Sequence, residues 1–213
     1  MENTREKKLT MTRTDGSSRR SWILARRTAT VLVVACASLL EAAAPDGWFL
    51  AGSHRRAYET GTEPRSEGEG TVAFLRSVEE VPRGFGTLMQ TVSAQKYRGV
   101  RLRLSADLRS RDIETWAGMW MRVDGKTEGQ SLAFDNMQDR PLRGTTEWKH
   151  YAVVLDIPQE AESIAFGFLI SGNGQLWVDE VDLEEVDKSI PVTDRLAPSS
   201  LPEEPVNLEF GDP

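Results

Sequence analysis

The chain has 213 residues, a length that is enough for one domain plus extensions. It has 26 basic and 33 acidic side chains and a formal net charge of −7. Eight of the basic residues but only three of the acids lie in residues 1–27, so the remainder carries a net charge of −12. An acidic body argues against non-specific binding to nucleic acid or to an anionic membrane surface. The single cysteine, Cys36, excludes an internal disulfide and a zinc site made of several cysteines.

Residues 1–45 have the layout of an export signal. An apolar run from Thr28 to Ala44, interrupted only by Glu41, follows the basic segment and ends in small residues. This order predicts export to the periplasm or the exterior, with the arginine-rich end left in the cytoplasm. Membrane contact is expected only through this leader.

The residues leave the processing of the leader open. Ser18–Leu24 resembles a twin-arginine signal, and Val33–Cys36 resembles a lipobox, in which Cys36 would be lipidated and become the mature N-terminus. Pro45 disfavours cleavage directly after Ala44, so an uncleaved anchor is a further alternative. A wrongly assigned start codon in front of an ordinary signal or a cytoplasmic domain would also explain the sequence.

From residue 46 onward, short apolar segments separated by turn residues predict strands. Val100–Leu108 alternates most clearly, with an apolar residue at every second position. Ser163–Ile170 is apolar on both faces and is therefore predicted as a central strand that is covered on both sides. The other predicted strands are Asp46–Gly52, Thr71–Ser77, Phe85–Val92, Trp116–Val123, Ser131–Phe134, Glu147–Ile157 and Gln175–Val186.

The segments between these strands contain no long amphipathic helix. Ser53–Gly70 is predicted as a loop or an irregular edge segment, and Pro141–Thr146 as a turn. Together these features predict an all-β fold, an antiparallel β-sandwich of the jelly-roll kind, over residues 46–187. Residues 188–213 contain five prolines and predict a linker or a surface-lying arm, in which Pro205–Phe210 would add a short edge strand.

Several motifs resemble known families. The run Gly174–Val181 (GQLWVDEV) resembles the last strand of jelly-roll carbohydrate-binding modules and galactose-binding-like domains. Asn207–Phe210 (NLEF) resembles the opening strand of such modules, although here it stands at the opposite end of the chain. This resemblance implies a carbohydrate-binding jelly roll.

Four segments carry a second resemblance: Gly47–His54, Phe85–Gln90, Trp116–Gly125 and Leu132–Pro141. Through them, about residues 46–193 resemble a bacterial domain often labelled as part of AraC-type transcription regulators. The DNA-binding part of such a regulator is a pair of helix-turn-helix units, for which this chain offers no candidate, and the export leader also disfavours DNA binding.

The candidate binding face lies on the strand Trp116–Val123. Trp116, Trp120 and Arg122 share one face of this strand, and Met119 and Met121 lie on the other. Flat aromatic rings on an exposed sheet face can stack on sugar rings, while neighbouring polar groups bond to hydroxyls. The alternative is that both tryptophans belong to the core and the methionines face outward.

A polar cluster that follows the next strand is the second candidate site. Its side chains would contact a ligand, or their oxygen atoms would hold a structural calcium ion. In the alternative, the cluster is a turn whose side chains cap its own backbone. Asp179 and Glu180 are another candidate source of calcium ligands. The cluster consists of Asp135, Asn136, Gln138, Asp139 and Arg140.

Residues suited to catalysis are few. His54 and His150 are the only histidines, and the chain has neither a nucleophile elbow nor a phosphate-binding glycine loop. We therefore predict an exported, non-catalytic module that binds a polysaccharide or another polar ligand and no nucleic acid. The alternatives are a structural or protein-interaction module of the cell envelope and a small hydrolase that uses acids near Asp135 and Asp139.

Overall fold

The computed structural model describes residues 43–66 and 68–196 and shows an antiparallel, all-β protein. Two short 3₁₀ turns, Arg55–Ala57 and Ala94–Lys96, are the helical segments in this part of the chain. Neither turn is long and apolar enough to cross a membrane. The strands are β1 (Phe49–Ala51), β2 (Tyr58–Pro64), β3 (Thr71–Ser77), β4 (Phe85–Ser93), β5 (Arg101–Asp124), β6 (Ser131–Asp135), β7 (Leu142–Asp156), β8 (Ser163–Ser171) and β9 (Gln175–Val186).

The leader lies outside the described residues. So do its twin-arginine and lipobox motifs and the edge strand predicted at Pro205–Phe210. These features stay predictions from the sequence.

Strand β5 belongs to two sheets. Its first half pairs with β7 and β9, and its second half, from Trp116 onward, pairs with β8 and β6, with one further pair between Ala117 and Leu142 of β7. All nine strands are joined by hydrogen bonds, and β5 divides them into two sheets. The first sheet has the order β2-β3-β9-β5-β7, and the second has the order β1-β4-β8-β5-β6. Two antiparallel sheets packed over a common core make a β-sandwich, so the predicted fold class is confirmed.

The sequence predicted two separate strands, Val100–Leu108 and Trp116–Val123, where the structure has the single strand β5. The residues between them are polar, yet neighbouring strands keep them extended: Ser110 pairs with Leu176 of β9 and with Thr146 of β7. Hydrogen bonds to strands distant in sequence thus keep this segment extended, although its residues show no apolar alternation that would predict a strand.

Two further predictions are corrected by the structure. The predicted loop Ser53–Gly70 contains β2, which pairs with β3 along its whole length. Strand β2 was missed because its composition is polar, as an edge strand with a single neighbouring strand allows. Pro64 is tolerated at the end of such a strand. The predicted turn Pro141–Thr146 is largely strand, because β7 already begins at Leu142 and pairs with β5.

The bend in β5 changes which side chains face the core. Before the bend the even-numbered residues Leu102 to Leu108 are buried, and after it the odd-numbered residues Ala117 to Val123 are buried. Asp112 lies at the change with φ of +53°, in the left-handed region, and the pairing with β7 shifts register here. A one-residue slip in a strand exchanges its two faces, so this irregularity turns Trp116, Trp120 and Arg122 away from the core.

The core lies between the two sheets and includes the methionine face of β5. Met119 and Met121 are completely buried, and they pack in the same cluster as Phe166 and Phe168 of β8. Trp48 stacks on Phe168, with ring centroids 5.6 Å apart. Strand β8 lies between β4 and β5, as expected for a central strand with two apolar faces.

The described part of the tail, residues 187–196, lies on the surface along the edges of both sheets. The backbone N–H of Thr193 donates to the carbonyl of Val154 in β7, at 2.8 Å. Arg195 donates in the same way to the carbonyl of Phe134 in β6, at 2.7 Å. The arm thereby covers edge strands that would otherwise expose unpaired backbone groups.

The assignment of core and outer faces of β5 predicts opposite effects of two substitutions. We expect Met119→Ala to lower the free energy of unfolding by about 2–5 kcal/mol, because it leaves a cavity in the core. Arg122→Ala, on the outer face, should change it by no more than about 0.5 kcal/mol. Denaturation in urea would measure both values, and equal losses would contradict the assignment.

Candidate functional site

A groove with a volume of about 550 Å³ lies on the outer face of the second sheet. All five strands of this sheet, together with the residue that follows β6, contribute to its walls. The tryptophan face of β5 forms its centre. The groove is lined by Ala51, Gly52, Phe85, Thr87, Met89, Trp116, Trp120, Arg122, Phe134, Asn136, Leu169 and Ser171.

Trp120 forms the floor of the groove. Only 8% of its surface is exposed, and its ring packs with Ala165 and Leu169 of β8. Its indole Nε1 donates to Oγ1 of Thr87 at 2.8 Å, and that hydroxyl donates to the carbonyl of Phe168 at 2.8 Å. A buried indole with its N–H satisfied is fixed in position, so Trp120 gives the groove a rigid apolar base.

Other aromatic side chains beside this floor are more accessible. Trp116 is partly exposed and packs against the Trp120 cluster together with Phe134 and Met89. Phe85 is 39% exposed on the β4 side. The groove therefore presents apolar ring surface to solvent.

Arg122 and Asn136 supply hydrogen-bond donors in the groove. Nε of Arg122 donates to Oδ1 of Asp124 at 2.8 Å, while its two terminal nitrogens bond to no described residue. The side-chain oxygen of Asn136 accepts the backbone N–H of Gln138 at 3.2 Å, which leaves its amino group as a donor. An aromatic surface with a few donors is a common composition of small-ligand sites.

The remaining residues of the predicted polar cluster do not line the groove. The carboxylate of Asp135 is completely buried, where it accepts a bond from Arg140 and one from the backbone N–H of Met137. Arg140 also donates to Asp139, at 3.0 Å. Gln138 is exposed in the same turn. The alternative of a turn that satisfies its own polar groups therefore describes this cluster better than direct ligand contact.

The charges of this turn stabilise one another. Burial favours the neutral forms, but Asp139 accepts its own backbone N–H and lies beside Arg140, and its pKa is lowered. Burial likewise disfavours the charged form of Arg140, but the hydrogen bond to Asp135 and the charge of that carboxylate raise the pKa of Arg140. Both groups are ionised at neutral pH.

The turn nevertheless shapes the groove. Met137 is held with φ of +57° and packs over Gly118, which lies between the two tryptophans on β5. A Cβ atom on Gly118 would lie 3.2 Å from Cβ of Met137, so glycine admits this close approach. The polar cluster thus positions Met137 and Asn136 rather than presenting most of its own charges to a ligand.

Several groove residues were missed from the sequence. Phe85, Thr87 and Met89 follow the period of two along β4, and Leu169 has the same relation to Ala165 on β8. This alternation was a usable signal, but β8 is apolar on both faces, and β4 carries apolar and polar residues on each face. Only the pairing of the strands decides which set of residues faces outward.

The structure also locates the candidate metal ligands and catalytic groups. The carboxylates of Asp179 and Glu180 both accept bonds from Arg65. Within residues 43–66 and 68–196, no three His, Cys, Asp or Glu side chains are arranged to hold a metal ion. Asp135 and Asp139 share Arg140, an arrangement that gives no support to a hydrolytic carboxylate pair facing an open cleft.

Comparison with known proteins gives one similar curated sequence. No family model matches the chain. The chain is 44% identical over 167 residues to a protein of Bacillus subtilis (strain 168) named "Uncharacterized HTH-type transcriptional regulator YbfP". The match covers 77% of this chain and 56% of the relative, so the chain spans little more than half of that protein. The predicted resemblance to a domain with a transcription-regulator label is confirmed.

Similar solved structures include modules whose names refer to carbohydrates. The CBM22-1 xylan-binding domain of Paenibacillus barcinonensis Xyn10C is 12% identical, with a TM-score of 0.48 over 69% of this chain and 90% of that one. A family 16 carbohydrate-binding module is 18% identical, with a TM-score of 0.48 over 66% and 92%. The active domain of tailspike protein 4 of bacteriophage CBA120 is 16% identical, with a TM-score of 0.48 over 66% and 20%. The assignment of the fold rests on the strand pairing described above.

The buried ion pair of the turn predicts a stability effect. We expect Arg140→Ala to lower the free energy of unfolding by about 3–5 kcal/mol, because it leaves the Asp135 carboxylate buried without a cation. Arg143→Ala, at an exposed position of the adjoining strand, is the control and should change stability by no more than about 0.5 kcal/mol. A similar loss in both variants, measured by chemical denaturation, would refute this role of Arg140.

Proposed function

We propose that this domain binds a neutral carbohydrate chain in the groove of the second sheet and does not catalyse a reaction on it. The observation that carries the proposal is the combination of exposed aromatic surface with the donors of Arg122 and Asn136 in one open groove. A sugar ring has an apolar C–H face and a rim of hydroxyls. Indole and phenyl rings complement the first, and guanidinium and amide donors complement the second.

The charges in the groove favour a neutral ligand. Among the described residues that line it, Arg122 is the one with an ionisable side chain, and its charge is balanced by Asp124, which it contacts at 2.8 Å. A carboxylated or phosphorylated ligand would have to compete with this aspartate. Uncharged hydroxyls can accept hydrogen bonds from the terminal nitrogens of Arg122 without displacing Asp124 from Nε of this arginine.

The groove favours this proposal over an interaction module without a small ligand. That alternative requires the aromatic rings of this face to be core, with an apolar patch or free edge elsewhere. Trp120 is buried, but Trp116 and Phe85 remain accessible beside it. A rigid floor flanked by accessible rings suits a ligand better than it suits a purely structural face.

The name of the Bacillus relative suggests a second setting for the same activity. If the chain works as part of a transcription regulator, this β-sandwich would be its ligand-sensing part. The described residues contain no α-helix and thus no helix-turn-helix unit to contact DNA. The leader favours export instead, and cell fractionation of the full chain, with and without residues 1–45, would distinguish the two settings.

Removal of the Trp116 ring tests the binding surface. We expect Trp116→Ala to weaken binding to a responsive oligosaccharide by about tenfold or more, because stacking on the ring is lost. Trp116→Phe should retain part of the affinity. Intrinsic fluorescence titrations with β-1,4-linked oligosaccharides of glucose, xylose, mannose and galactose would measure this. Full affinity of the alanine variant would exclude the groove as the site.

The polar side of the groove can be tested separately. We expect Arg122→Ala to weaken the same binding by about tenfold, because the hydrogen bonds of a charged donor are lost. Arg143→Ala removes an exposed arginine outside the groove and should bind as the unaltered chain does. If both arginine variants lose affinity equally, the loss would come from the change in net charge and not from a lost contact in the groove. No release of reducing ends is expected in any of these titrations.

A further inference from the structure

A second cleft lies on the opposite side of the sandwich, on the outer face of the first sheet. Its volume is about 650 Å³, and strands β2, β3, β5, β7 and β9 contribute to its walls. Unlike the groove, it is mainly polar. The residues important for its chemistry are Glu63, Arg65, Arg109, Glu147, Trp148 and Glu180.

Arg109 is the central group of this cleft. Its guanidinium carbon lies 4.2 Å from the ring centre of Trp177 and 5.2 Å from that of Trp148. Packing against two indoles fixes the plane of the guanidinium. Its Nε is buried but has no hydrogen-bond partner among the described residues, which is unusual for a buried donor and costs stability.

The other charges of the cleft mostly have partners. Arg65 bonds to both Asp179 and Glu180. Asp107 contacts the ring of His150 at 2.8 Å, and Glu63 accepts the indole N–H of Trp177. These contacts leave two charged side chains that form neither an ion pair nor a hydrogen bond with a described residue.

Those two side chains are the cation of Arg109 and the carboxylate of Glu147, which is exposed at the cleft. They carry opposite charges and line one cavity. Trp148, next to Glu147 in the chain, adds a partly exposed ring. The cleft thus offers a donor group, an acceptor group and apolar ring surface.

The backbone beside the cleft is strained. Glu180 has φ of +48°, a conformation uncommon for residues other than glycine, and it lies where the pairing of β5 with β9 shifts register. Arg65 holds its carboxylate at 2.7 Å. Strained residues of this kind occur preferentially where side chains must be presented to a ligand.

We propose that this cleft is a second binding site, for a neutral sugar ring. A hydroxyl group both donates and accepts, so adjacent hydroxyls can accept from Arg109 and donate to Glu147 at the same time. Trp148 contacts the apolar face of the ring. An anion is disfavoured because the carboxylates of Glu63, Asp179 and Glu180 line the same cleft. With the groove on the opposite face, the domain would hold two glycan chains at once.

The test uses the full chain and the neutral hexaoses of β-1,4-linked glucose, xylose and mannose in titration calorimetry. The double variant Trp116→Ala/Arg122→Ala removes groove binding and isolates the second cleft. We expect this variant still to bind a hexaose with one equivalent per chain. Adding Glu147→Gln or Arg109→Lys should then weaken the remaining binding about tenfold, because the charged acceptor or the planar donor is lost.

Glu185→Gln, an exposed change elsewhere on the first sheet, is the matched control and should leave the remaining binding unchanged. Equal thermal midpoints of the Glu147 and Glu185 variants would show that folding is intact. The proposal is overturned if the groove variant binds none of the three hexaoses, or if neither Glu147→Gln nor Arg109→Lys weakens its binding. By contrast, binding that is unaffected by the groove double variant but lost in the cleft variants would contradict the proposal that the groove binds carbohydrate and support the proposal that the cleft does.

Discussion

The continuous hydrogen bonding of β5 to four other strands is the constraint on which the rest of the structure depends. This strand runs for 24 residues and joins the two sheets of the sandwich. Both halves contribute buried side chains to the core, and each half is hydrogen-bonded within its own sheet. A shift of either sheet along β5 would therefore break hydrogen bonds and core packing. A bend near Asp112 allows one chain segment to serve both layers.

The same bend decides which residues of β5 are available for function. Because the two faces exchange at this point, Arg109 faces outward on the first sheet while Trp116, Trp120 and Arg122 face outward on the second. The apolar residues of both halves point into one core. The groove and the second cleft are therefore two outward faces of one strand, on opposite sides of the molecule.

The functional proposal depends on the difference between fixed and available groups. In the groove, Trp120 is immobilised by its hydrogen bond to Thr87, whereas the terminal nitrogens of Arg122 have no described partner. In the turn after β6, by contrast, Asp135 and Arg140 form an ion pair with each other. Asp135 also accepts the backbone N–H of Met137, so these charges position Met137 and Asn136 and do not face the groove. A preorganised apolar floor with a few unsatisfied donors is what a non-catalytic ligand site requires.

The sequence by itself determined that the protein is all-β, and it identified the face of Trp116, Trp120 and Arg122. These conclusions follow from a side-chain period of two, which is local and is visible in one strand at a time. Only the tertiary structure decided that this face is the outer one and that Phe85, Thr87 and Leu169 share its groove. Register depends on partner strands far away in the chain, and a single irregular residue, Asp112, exchanges the faces. The burial of Asp135 against Arg140 was likewise decided by packing, because a polar sequence does not show which of its charges will be enclosed.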